Sequence, residues 1–134
     1  MPGLKSEVDE LYARYLEAWN ARDFEGVAAC YTEPAMFVLP TGAVSLPDRP
    51  ALVALLKKLF AGLEADGFSH STIGAVGARA CGEGLAIADA RDVRRLRADG
   101  STIEVIDGHY VLRKDEGSWL FMLVVTCTPG WQEG

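Results

Sequence analysis

The spacing of apolar residues changes partway along this chain, and no other feature constrains the fold as much. Before Phe68 apolar residues recur at helical intervals; after it they alternate. Val8, Leu11, Tyr12, Tyr15, Leu16 and Trp19 form one continuous stripe, with Glu7, Glu10, Arg14 and Glu17 on the wet side. Ser6 is the expected cap of this first helix, with Asp9 three residues on, and the helix ends near Asn20. Asp23 suits the cap of a short second helix carrying Phe24, Val27, Ala28 and Tyr31 on one face, stopped by Pro34. Residues 35–39 read as a strand apolar on both faces, broken by Pro40-Thr41-Gly42, and a loop runs to Asp48. Pro50 fits the first turn of a third helix, striped by Leu52, Leu55, Leu56, Leu59, Phe60 and Leu63 and ending at Asp66-Gly67.

Four strand-like stretches follow, at about 68–81, 85–97, 102–113 and 118–128. Gly82-Glu83-Gly84, Ala98-Asp99-Gly100 and Asp115-Glu116-Gly117 separate them as hairpin turns. Helices followed by an antiparallel meander predict an α+β fold. A chain of 134 residues, 49% hydrophobic and 24% charged, has room for one core, so residues 1–134 are expected to form a single domain. The tail Pro129–Gly134 is expected to be loose. The striped helices can cover one face of the sheet. The segment Trp119–Val125 is apolar on both faces, so its other face is expected to meet a second copy, giving a homodimer through the outer sheet face.

Several functions are disfavoured. A net charge of −6 has the wrong sign for a general nucleic-acid binder. No apolar run reaches the ~18 residues of a membrane span, and MPGLKSEVDELY lacks a signal-peptide core. A cytoplasmic location without membrane or nucleic-acid partners is therefore expected. The three cysteines, Cys30, Cys81 and Cys127, are odd in number and widely spaced, as free thiols would be. There is no CxxC or HxxxH pair and no glycine-rich phosphate loop, so neither a metal nor a cofactor is expected.

The order of elements is combined with the segment YLEAWNARDFEGV at 15–27, Tyr31-Thr-Glu-Pro-Ala35, Asp107-Gly-His-Tyr110 and Gly117-Ser-Trp119. In these respects the chain resembles the NTF2-like superfamily, in its SnoaL-like and DUF4440-like region. The resemblance implies a cone: three N-terminal helices packed on a curved, mainly antiparallel sheet, with a small-molecule pocket at the wide end. Members include isomerases, cyclases, dehydratases and epoxide hydrolases, as well as binding and assembly modules, so fold alone does not choose among them. Leu11-Tyr-Ala-Arg-Tyr15 is similar to the first helix of ketosteroid isomerases, where the matching tyrosine donates to an oxyanion. Val105-Ile-Asp107 is similar to the strand on which those enzymes carry a protonated aspartic acid. Their base is expected just before Pro40, where this chain has Leu39, which cannot take a proton.

Alternation places Asp107 and His109 on one strand face, where a carboxylate can orient an imidazole for acid–base work if that face lines the cone. The alternative is that the two only satisfy each other inside a polar cavity. Asp89 and Arg91, with Asp107, form either a water-activating cluster like that of epoxide hydrolases of this fold or a structural cross-strand ion pair. His70 is either at the pocket mouth or exposed. Tyr15, Trp19 and Tyr31 are candidate aromatic wall, with Trp19 read as core and Tyr15 the stronger candidate because a buried hydroxyl needs a partner, and Met36, Val38, Leu55, Leu59 and Phe60 would line the rest. Arg91, Arg94, Arg95 and Arg97 read as a solvated strand edge. Two functions are expected from this pattern. One is a pocket for a small apolar or aromatic molecule, with Tyr15 and Asp107 polarising it and His109 moving a proton. The other is a non-catalytic binding or dimerisation module of the same fold.

Overall fold

The computed structural model describes residues 3–129. The elements run α1 (Leu4–Asn20), α2 (Phe24–Ala28), β1 (Tyr31–Leu39), β2 (Gly42–Leu46), α3 (Arg49–Ala65), β3 (Phe68–Gly82), β4 (Leu85–Arg97), β5 (Thr102–Asp115) and β6 (Ser118–Cys127). The strands form one sheet in the order β2-β1-β6-β5-β4-β3, antiparallel except for the β1–β6 pair. This is the expected α+β arrangement. Its core gathers Val8 and Leu11 of α1, Val27 of α2, Leu56 of α3 and Leu112 and Phe121 of the sheet, all fully buried. No helix among the described residues is long and apolar enough to cross a membrane.

The first half differs from expectation in three places. Ser6 lies inside α1, whose N-cap is Gly3 with no side-chain cap bond. Tyr31 opens β1 instead of continuing α2, and residues 42–46 form β2 instead of a loop. Pro34 is tolerated in a strand because the β1–β6 register breaks between Tyr31 and Met36, and β1 pairs with β2 only from Ala35 onward. The caps of the other helices follow the sequence pattern. Asp23 accepts from Gly26 N at 3.0 Å, and Asp48 accepts from Ala51 N at 3.0 Å. The tail beyond Pro129 lies outside the described residues.

Two polar side chains join the helices to β3. Arg22 donates to the carbonyls of Asn20, Phe68 and Ser69 at 2.8, 3.0 and 2.8 Å, and its guanidinium stands 4.8 Å from the Phe68 ring centre. Asn20 mimics a strand: its Nδ2 donates to Ser71 O at 3.0 Å, and its Oδ1 accepts from Ser71 N at 2.8 Å.

A bulge sets which residues of β4 face the helices. Ala90 pairs with Gly108 and Val93 with Ile106, so Arg91 and Asp92 together stand opposite Asp107. Asp92 adopts a φ of 54°, and its N–H donates to Asp107 Oδ1 at 3.0 Å. Ala86, Ala88 and Ala90 face inward before the bulge, and Val93 and Arg95 line the interior after it. Gly74 lies against the kink, where an added Cβ would come within 2.8 Å of Asp92 Cβ. The bulge therefore brings Arg95 inside.

Candidate functional site

The concave sheet face and helices α1 and α3 enclose a cavity of about 640 Å³, within the size range of small-molecule sites. Its walls are mainly apolar: Leu16 and Trp19 of α1, Leu59 and Leu63 of α3, and Phe37, Ile73, Val93, Ile106 and Val124 of the sheet. The helical stripe of α1 faces this space for the same reason that it packs the core.

Three tyrosines meet on the wall. Tyr31 Oη donates to Tyr15 Oη at 3.4 Å, and the Tyr15 ring centre lies 6.0 Å from that of Tyr31 and 6.3 Å from that of Tyr110. All three line the cavity, and each packs on Phe121 beneath them. Burial, reinforced by the neighbouring Tyr15, pushes the hydroxyls of Tyr31 and Tyr110 well above the ordinary tyrosine range. These two groups therefore stay protonated near neutral pH and can donate. Gly108 makes room for the Tyr110 ring: a Cβ there would lie 2.9 Å from its Cε1 and 3.1 Å from its Oη.

Arg95 is the principal charge on the wall. Its side chain is only 16% exposed. Its Nε donates to Glu104 Oε1 at 2.7 Å and its Nη1 to Ser71 Oγ at 3.4 Å, and the guanidinium lies 4.9 Å from the Trp19 ring centre. Glu104 and Asp66 are exposed residues at the open end.

Tyr15, Trp19, Tyr31 and Leu59 line the cavity. Phe60 instead belongs to the core, 4.4 Å from the Trp19 ring, and Leu55 packs against that core without reaching the cavity. The strand residues require a consistent correction. Met36 and Val38 face away, and Phe37 and Leu39 line the cavity in their place. Asp107 and His109 also face away, because Gly108 and Tyr110 alternate with them and line the wall. Asp89 and Arg91 form an ion pair on the same outer face, opposite Ala88 and Ala90, and Asp107 adds to the field at Arg91. The Asp-Arg-Asp grouping thus exists, on the far side of the sheet from the cavity. His70 is exposed, its Nδ1 3.1 Å from Ser69 Oγ, and its neighbour Ser71 lines the wall. Arg95, Glu104 and Tyr110 were missed by sequence reasoning. Gly108 two residues before an aromatic was a usable signal for Tyr110. A non-glycine bulge at Asp92 left none for Arg95.

Asp107 therefore has a structural role as acceptor for the bulge N–H. Asp107→Ala removes that acceptor from a buried position and is expected to cost about 1–3 kcal/mol. Asp107→Asn keeps a carbonyl oxygen and should cost clearly less. Thermal unfolding of the two variants checks this, with equal melting temperatures as the contrary result.

A family model described as NTF2-like protein (DUF6841) matches residues 6–129. Among solved structures, Aln2 from a Streptomyces species is similar at 21% identity with a TM-score of 0.78, covering 96% of this chain and 92% of that one. ActVI-ORFA from Streptomyces coelicolor is similar at 22% identity and TM-score 0.76, covering 92% and 96%. An NTF2-like protein with a cystatin-like fold from Novosphingobium aromaticivorans gives 20% identity, TM-score 0.76 and coverage of 95% and 82%. No curated protein matches in sequence. At these identities the solved structures show the shared fold.

Proposed function

This chain belongs to the DUF6841 family of NTF2-like proteins, and we propose that its cone binds one small, largely apolar ring molecule bearing a hydroxyl or carbonyl oxygen. The observation that carries this reading is the convergence of Tyr15, Tyr31 and Tyr110 on an otherwise apolar cavity of about 640 Å³. Apolar walls supply the attraction, and a few placed donors fix the orientation. Binding is favoured over proton abstraction by the position of the carboxylates. Leu39 lines the wall where the resemblance expects a base, Asp107 faces away, and Glu104 and Asp66 stand exposed at the open end.

Titration with 2-naphthol, followed by fluorescence and calorimetry, tests the reading. Gly62 gives a way to narrow the cavity without disturbing the core. It lies in α3 at the open end, is exposed, and has no atom within 4 Å of an added Cβ. Gly62→Ala should raise stability by about 0.5–1 kcal/mol through helix propensity alone. Gly62→Trp should weaken 2-naphthol binding by about tenfold or more, a loss of about 1.4 kcal/mol, with the melting temperature retained. Absence of binding to the parent chain, or binding indifferent to Gly62→Trp, would count against the cavity as the site.

A further inference from the structure

We propose that Arg95 recognises a carboxylate on the ligand and that Glu104 holds its place when the cavity is empty. This names the ligand class as a planar apolar carboxylic acid, and it rests on the ligand-binding reading above.

A guanidinium only 16% exposed on a mainly apolar wall needs an anionic partner. Its present partner, Glu104, is 46% exposed and so remains half in water. Releasing that carboxylate to solvent recovers much of its hydration, and a ligand carboxylate in its place keeps the guanidinium paired. Arg95 itself is held in place by other groups. Its guanidinium faces the Trp19 ring at 4.9 Å, and Nη1 reaches Ser71 Oγ at 3.4 Å. Ser71 is in turn fixed by the paired bonds from Asn20 at 3.0 and 2.8 Å. Among the described residues, the Nε bond to Glu104, at 2.7 Å, is the one Arg95 makes to a half-exposed side chain. The fork of an arginine matches a carboxylate with two parallel bonds. A ligand carboxylate arriving through the open end can displace Glu104, while the ring body lies along the apolar wall. The net charge of −6 makes this inward-facing cation a selective feature in a chain that otherwise repels anions.

The test compares 2-naphthoate with 2-naphthol, which share a ring system and differ in charge at neutral pH. Glu104→Gln removes the competing charge from an exposed position and should leave folding intact. It is expected to tighten 2-naphthoate binding about tenfold and to change 2-naphthol affinity far less. Arg95→Met should abolish the 2-naphthoate gain when combined with Glu104→Gln. Thermal unfolding accompanies each variant, and Glu104→Gln alone decides the matter if Arg95→Met does not fold. If 2-naphthol binds and Glu104→Gln leaves 2-naphthoate affinity unchanged, the carboxylate role is overturned while the cavity reading stands. If neither compound binds any of the proteins, both fall together.

Discussion

Phe121→Ala is expected to destabilise this protein by about 3–5 kcal/mol, the cost of emptying an aromatic site in a packed core. Phe121 is fully buried, and its ring centre lies 4.6 Å from Tyr110, 5.1 Å from both Tyr12 and Tyr15, and 5.4 Å from Tyr31. Four aromatic neighbours cannot collapse into the space without leaving their rotamers, so most of the cavity term is retained. For a chain of this size the melting temperature should fall by about 10–20 °C. Affinity for 2-naphthol should fall as well, because Tyr15, Tyr31 and Tyr110 lose the surface that positions them. Phe121→Leu refills much of the volume and should lose considerably less stability. Calorimetric unfolding of the pair checks both the magnitude and the order. A shift of a degree or two for Phe121→Ala would mean that Phe121 is not the hub of this cluster.

The second large effect is alkaline destabilisation. Burial pushes the hydroxyls of Tyr12, Tyr31 and Tyr110 above their ordinary value. In the unfolded chain they titrate near pH ~10. Above that pH the unfolded state has released protons that the folded state still holds. The folded state is therefore fully stabilised by these groups below pH ~10 and loses that contribution as pH rises above it. Each retained proton costs about 1.4 kcal/mol per pH unit, so three together cost about 4 kcal/mol per unit. The expected result is a cooperative transition in which phenolate absorbance from these three tyrosines appears together with loss of circular dichroism. Gradual ionisation of all the tyrosines near pH ~10 in a chain that remains folded would show that the cluster is open to water. Tyr31→Phe removes one of the linked protons and should make the alkaline transition less steep.

Much of the fold was legible because the two periods are strong and long. The stripe from Val8 to Trp19 gave α1, that from Leu52 to Leu63 gave α3, and the glycine-marked turns divided β3 to β6 at nearly their observed ends. The boundary at Tyr31 was not legible. A helix face and a strand start look alike over four residues, and Pro34 suggested a stop where the structure has a break in register. β2 was missed because a five-residue edge strand exists only through its pairing with β1. Among the candidate site residues, Tyr15, Trp19 and Leu59 on helices reach the cavity, as does Tyr31, while Met36, Val38, Asp89, Arg91, Asp107 and His109 point the other way.

That division has one physical origin. A helix's apolar stripe must face the core, so sequence alone turns residues such as Tyr15 and Trp19 inward, while packing decides which inward residues reach the cavity, as Leu55 and Phe60 of α3 do not. A strand's alternation determines only which residues share a face: Asp107 with His109, Gly108 with Tyr110. Where both faces hold apolar side chains, as in β1 and β6, the pattern cannot say which is concave. The tertiary structure decided that, through the packing of α1 and α3 and through a bulge of Arg91 and Asp92 opposite Asp107. The extra residue changes the facing of everything after it, which moves Arg95 from an apparent solvent edge onto the cavity wall. Sequence thus determined the long elements and the fold class, and packing with register determined β2 and which charges and hydroxyls the cone presents.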